Sequence, residues 1–166
     1  MKSQKYFIDV INKNDIIIGK ASEEEVRQKN LLHHSVHFLI LDSYDHLFCA
    51  HRVANRPIYS AWWTIPGAHV RSGENYDKTA ARFLSELQLH VDLQQLKPLK
   101  KIRVADGFEN EWSMLYIVRS EKNPFLSSDK FQNGKFFSAL DIKKLCQTKK
   151  VTQYLLAALD FVFLKK

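Results

Sequence analysis

Residues 62–90 read WWTIPGAHVRSGENYDKTAARFLSELQLH, and the change of character along this stretch decides the fold. It opens as an apolar, aromatic run, breaks at Pro66-Gly67 and turns again at Ser72-Gly73. From Tyr76 onward, Ala80, Ala81, Phe83, Leu84 and Leu87 fall at helical spacing, with no Gly or Pro before His90. Glu74 stands at the start of that helix, where a carboxylate suits the positive end of the dipole. A strand, a glycine loop and a helix in this order present backbone N–H groups and side chains to a phosphate.

Outward from this stretch, the chain of 166 residues predicts one domain, 1–166, able to bury a proper core. Its 45% hydrophobic and 26% charged residues suit a globular protein. Two cysteines, Cys49 and Cys146, are too few for a disulfide framework, and a reducing, cytoplasmic location is expected. The opening MKSQKYFIDV lacks the apolar run of a signal peptide, and no run reaches membrane-spanning length, so no membrane partner is expected. The net charge of +7 favours anionic partners. The lysines thicken near the C-terminus at 143, 144, 149, 150, 165 and 166, and much of this charge is accounted for by a solvated surface.

Along the chain, residues 6–11 and 16–18 flank the polar cluster 12–15 and predict a β-hairpin. Ser22 with Glu25 forms a capping box for a short helix to about Lys29, and the acidic run Glu23–Glu25 reads as dipole complement rather than a metal site. Strands are expected over 33–41 and 47–51, then a loop carrying Arg52 and Arg56. After the central helix, 93–99 reads as a connector, 101–105 as an edge strand and 108–118 as the next strand. Residues 127–132 read as loop, 136–137 as a short strand, Ser138 as a helix start, and 151–164 as a final helix. Strands and hairpins around a central helix make an α+β fold.

Glu109-Asn110-Glu111 is the second informative stretch. On a strand both carboxylates project to one face, and two like charges there repel unless a cation sits between them. The opposite face, with Phe108, Trp112, Met114 and Tyr116, wants a core. Taken alone, the pair reads more simply as two solvated residues on an edge strand. His33 at a strand start and His69 in the central loop complete a set suited to Mn²⁺, Zn²⁺ or Fe²⁺ more than Mg²⁺. The other five histidines, 34, 37, 46, 51 and 90, have no evident partner.

Gly73-Glu74, Ala80-Ala81-Arg82 and Glu86 resemble the signature box of the Nudix superfamily. Ala68, Phe83, Leu87 and Leu89 stand where that box has Gly, Glu, Glu and Gly. Within the superfamily, the pattern resembles the type I isopentenyl-diphosphate isomerases. The matching pieces are Leu32-His33, Arg52 and Arg56, Trp62, Ala68-His69 before Gly73-Glu74, and Gly107 before Glu109 and Glu111. The likeness runs from the N-terminal hairpin to Val118.

The resemblance implies an α/β/α sandwich with a mixed sheet. It further implies a divalent metal (Mn, Mg or Zn) on His33, His69, Glu109 and Glu111, with Glu111 also the acid/base. Arg52 and Arg56 would grip a diphosphate, with Trp62 as a substrate-binding position. Gly67 stands at the position of the isomerases' catalytic cysteine and Val26 at that of a third histidine ligand. Neither Cys49, on a core strand, nor Cys146, on the C-terminal helix, replaces that thiol.

Glu86 pairs with Arg82 at i, i+4, or is a surviving metal ligand and base with Glu74 and Arg82 bracing the loop. The expected function is therefore metal-dependent action on a diphosphate-bearing small molecule, more hydrolase than isomerase. The rival is a catalytically inactive binder whose more apolar central helix marks an altered pocket or an interface. Nucleic-acid binding rests on charge alone and is not the partner expected. Nothing in the sequence sets an oligomeric state.

Overall fold

The computed structural model describes residues 5–94 and 96–162. Its first half runs β1 (Phe7–Ile11), β2 (Ile17–Ser22), α1 (Glu23–Gln28), β3 (His33–Leu41), β4 (Leu47–Arg52), β5 (Trp63–Thr64) and β6 (Gly67–His69). The second half runs α2 (Tyr76–Glu86), β7 (Pro98–Ala105), β8 (Asn110–Arg119), β9 (Phe131–Phe137), α3 (Ala139–Gln147) and α4 (Gln153–Val162).

The strands join in one mixed nine-stranded sheet with β3 at its centre. Strand β3 runs parallel to β8 from His33 opposite Glu111 to Leu41 opposite Arg119. Its other edge takes β6 antiparallel at residues 35–37, β1 at His33 and β4 at Leu41. Side chains alternate across the sheet. Val36, Phe38 and Ile40 pack with Phe83 and Leu84 of α2 and with Leu87 just after it on one face. Leu39 and Leu41 pack with Ile142 of α3 and Tyr154, Leu155 and Ala158 of α4 on the other. Burial on both faces explains why β3 reads as a nearly continuous apolar run. The α/β/α sandwich expected from the sequence is thus present.

Several boundaries differ from those expected. The capping box forms as read, with Ser22 Oγ accepting from Glu25 N–H and the Glu25 carboxylate accepting from Ser22 N–H. Strand β7 begins at Pro98 and β9 at Phe131, because each pairs over its length with a neighbour the local composition does not reveal. Strand β8 begins only at Asn110, which leaves Phe108 and Glu109 in the preceding turn, with Phe108 exposed. Helix α4 starts at Gln153, because Val151 bridges to Trp63; the last two residues of its expected range, 163 and 164, and the lysines at 165 and 166 lie outside the described residues. Cys146 lies on α3, not on the last helix.

Helix α2 stops at Glu86 although no glycine follows. Gln88 takes the left-handed conformation (φ 55°), its N–H donating to Ser85 O, while Leu89 N–H donates to Leu84 O. These bonds form a Schellman motif, and Leu89 folds back beside Leu84 in the core. Burial of Leu89 offsets the unfavourable φ at Gln88. The apolar substitutions Phe83, Leu87 and Leu89 therefore serve the chain's own core and not an interface.

The loop from β6 into α2 is tied by Glu74. Its carboxylate accepts from Arg82 Nε (2.8 Å) and Nη2 (2.9 Å), from Thr79 Oγ (2.7 Å) and from Arg71 N–H (3.2 Å). Partial burial opposes ionisation, but the Arg82 and Thr79 hydrogen bonds outweigh it and hold the carboxyl down to about 2. A depressed folded pKa stabilises above the unfolded value of 4.5 and loses that stabilisation as pH falls toward 2. Glu74→Gln should therefore lose about 2–3 kcal/mol at neutral pH and show a flatter decline below pH 4.5 than the wild type. Denaturant unfolding at stepped pH measures both, and parallel pH profiles would rule out this role.

Candidate functional site

Four side chains expected to act together do converge. One ligand atom from each of His33, His69, Glu109 and Glu111 lies within 4.8 Å of every other. The parallel register delivers His33 and Glu111 as direct partners, while β6, paired with Ser35 through His69, adds the second imidazole. Glu109 arrives differently from the expected strand alternation. It closes the turn before β8, its N–H donating to Asp106 Oδ1 at 3.0 Å. Glu111 is 1% exposed on an interior strand, so a solvated edge pair does not describe these carboxylates.

The donor set fits a divalent cation. His33 Nδ1 lies 2.8 Å from Leu31 O, a carbonyl that only accepts, so Nδ1 carries a proton. In the neutral ring, Nε2 then aims a lone pair at Glu111 Oε1, 3.0 Å away. Two acceptors face each other unless a proton or a metal sits between them. A histidine anchored by a backbone carbonyl at Nδ1 and free at Nε2 is the usual arrangement at metal centres.

Without a cation the site must hold protons. Burial disfavours a charged His33, yet the hydrogen bond and charge of Glu111 raise its pKa. Burial and then the charge of His33 lower His69 to about 4. Burial and then the charge of Glu111 push Glu109 up to about 8. Glu111 is itself held well below the carboxylate range, its burial outweighed by His33 and His69.

Residues around the cluster were not singled out by the sequence. Glu111 Oε2 accepts from Ser35 Oγ at 2.6 Å and from the Tyr154 hydroxyl. His37 Nδ1 lies 2.8 Å from Ser113 Oγ, and its ring stacks on Tyr154 with centroids 3.6 Å apart. His33, Ser35 and His37 alternate along β3, and this period-two polar stripe in an apolar strand is the signal that would have exposed them.

The cluster borders a cavity of about 150 Å³. Arg52 and Arg56 line it, and the buried Nε of each has no hydrogen-bond partner among the described residues. Among the described residues, the Arg52 side chain donates only to Ile58 O, at 3.3 Å, through Nη2. Arg27, Arg71, Arg82 and Lys130 line the same cavity. Glu86 also lines it but stands outside the four-residue cluster, its carboxylate 3.0 Å from Arg82 and 3.7 Å from Arg71. Trp62 does not line it; it packs on Tyr59 and Phe108 and borders a separate shallow groove. Cys49 is fully buried in β4, and Cys146 borders that separate groove.

No family model matches the chain. Isopentenyl-diphosphate Delta-isomerase 2 of Photorhabdus laumondii is 26% identical over 145 residues, 82% of this chain and 79% of that protein. An uncharacterized Nudix hydrolase of Streptomyces coelicolor is 28% identical over 121 residues, 72% of this chain and 67% of that one. Among solved structures, DR0079 from Deinococcus radiodurans superposes with a TM-score of 0.76 at 17% identity, covering 95% of this chain and 99% of its own. A MutT protein from Methanosarcina mazei superposes with a TM-score of 0.62 at 15% identity, covering 81% of this chain and 96% of its own. The chain has the Nudix fold.

The residues behind the cluster supply a direct test of it. Tyr154→Phe keeps the ring stacked on His37 but removes one donor from Glu111. If Glu111 is a ligand, loss of that orienting bond should weaken metal binding about 10–100-fold. Competition with a chromogenic chelator reads the change, and an affinity equal to wild type would rule out Tyr154 as an orienting partner of the ligand set.

Proposed function

We propose that the protein is a metal-dependent enzyme acting on a diphosphate-bearing small molecule, and that the reaction is hydrolysis of a diphosphate linkage. One observation carries the reading: a four-donor His/Glu cluster borders a cavity lined by Arg52 and Arg56, whose buried Nε groups have no partner among the described residues. The metal, one of Mn, Mg or Zn, would be held by His33, His69, Glu109 and Glu111. When bound, it supplies Lewis-acid polarisation of a phosphoryl oxygen and offsets the charge that develops there.

The remaining work falls to the chain itself. Arg52 and Arg56 offer guanidinium donors to the diphosphate oxygens, and their planar forks suit that geometry. Of the two carboxylates proposed as base, Glu111 has both oxygens engaged, by His33 on one side and by Ser35 and Tyr154 on the other. That leaves it as a ligand. The base is therefore assigned to Glu86; its half-exposed carboxylate at the cavity, paired with Arg82, supports that assignment. Isomerisation resembling that named for the Photorhabdus relative is disfavoured, because neither cysteine lines the cavity and Gly67, which does, has no side chain.

The protein purified without chelator should carry about one divalent metal ion per chain, the stoichiometry of a single four-donor site. His69→Ala and Glu111→Gln should each lose it. The metal-loaded wild type should release phosphate or a monophosphate from members of a diphosphate panel, and Glu86→Gln should slow that release about 100-fold or more while retaining metal. A protein that takes up no metal even in excess Mn²⁺ would abolish the reading and leave a non-catalytic binding module.

A further inference from the structure

Three observations converge on His37, which the proposed chemistry leaves unused. First, the Ser113 hydroxyl is fully buried, and among the described residues its one hydrogen-bond partner is His37 Nδ1, at 2.8 Å. A buried hydroxyl hydrogen needs an acceptor, so Ser113 donates and Nδ1 accepts. In a neutral imidazole the proton then belongs on Nε2.

Second, the ring can occupy this position because residue 67 is glycine. A Cβ on Gly67 would lie 2.2 Å from His37 Cδ2 and 2.4 Å from Nε2, contacts that side chains do not make. The Gly67 backbone does not adopt a positive φ, so close approach of the ring is what requires glycine here. His37 and Gly67 both line the cavity that the cluster borders and that Arg52 and Arg56 also line.

Third, the ring cannot turn away. It lies flat on Tyr154, with an interplanar angle of 11°, and Tyr154 is itself fixed by its bond to Glu111. Burial lowers the His37 pKa to about 4, so the ring stays neutral through the physiological range. Among the described residues Nε2 makes no hydrogen bond.

We propose that His37 is a ligand-contacting residue, a neutral imidazole oriented by Ser113 and Tyr154 whose Nε2–H donates to an anionic oxygen of the bound diphosphate. A preoriented neutral donor pays little reorganisation when charge builds on that oxygen, which is why such groups serve anion stabilisation. Unlike the arginines, it adds directionality without further net charge in a cavity already rich in cations. The inference rests on the proposed diphosphate reading for the identity of the ligand, but its tautomer and orientation stand without it.

The test uses the full chain labelled with ¹⁵N-histidine and loaded with Zn²⁺, with inorganic pyrophosphate as the probe. Long-range ¹H–¹⁵N correlation, with His37→Gln to assign the signal, should show the Nε2–H form, and Ser113→Ala should erode it. Pyrophosphate should then shift the His37 Nε2 resonance. His37→Phe, which retains the stack, should weaken pyrophosphate binding about 10-fold or more, whereas His37→Gln, whose amide restores an N–H, should stay within about 3-fold of wild type. Zinc content should be unchanged in both variants. An Nδ1–H tautomer, or equal pyrophosphate affinity in wild type and His37→Phe, overturns the role of His37 alone. A zinc-loaded wild type that binds no pyrophosphate overturns the diphosphate reading and this contact together.

Discussion

The parallel pairing of β3 with β8 is the constraint on which the rest of the molecule depends. It sets nine consecutive residue pairs from His33–Glu111 to Leu41–Arg119. A slip by one position would turn Glu111 from the cavity into the face covered by α2, because side chains alternate with period two. The same slip would expose the partners of Phe38 and Leu39 to the wrong layer. Core packing at the C-terminal half of the two strands therefore fixes the register that the polar half requires. The buried carboxylate, costly by itself, is tolerated because four neighbouring groups are delivered to it by that register and by β6 and α4.

The division of labour along β3 also explains which features were legible in the sequence. The apolar residues that follow His37 and the helical spacing after Tyr76 report directly on burial, so the fold class and the main elements were readable. Boundaries were lost where tertiary partners decide them. Phe131 joins a strand because β4 lies beside it, and α2 stops because Leu89 packs against Leu84. Neither cause is local. Gln88 in a left-handed conformation carries no glycine to announce it.

The site was legible to a different degree. His33, His69, Glu109 and Glu111 could be grouped by residue type and by likeness to a known pattern, and the structure brings them together. The route differed for Glu109, which a turn positions instead of strand alternation. Tyr154 lies 43 residues from the carboxylate it contacts, and Ser113 is an ordinary strand serine until its neighbour is known. Orienting residues of this kind leave little local trace, since their chemistry lies in what they touch. The stripe of His33, Ser35 and His37 was the exception, visible as polarity recurring every second residue where a buried strand should have none.

Charge around the cavity argues for an anion more specifically than the net charge does. Arg27 is matched by Glu23 at 2.9 Å, and Arg82 by Glu74 at 2.8 Å and Glu86 at 3.0 Å. Arg52, Arg56 and Lys130 have no ion pair among the described residues, and burial together with the neighbouring Arg56 lowers the Arg52 pKa. Neighbouring guanidinium groups repel, and an unmet buried donor such as the Nε of each costs about 1–3 kcal/mol. A chain that needed these residues only for structure would more easily supply the missing carboxylate, as it does for Arg27 and Arg82. Leaving them unmatched beside four metal-type donors makes sense when the counter-charge is brought by the ligand, and a diphosphate carries enough of it to satisfy both the arginines and a bound cation.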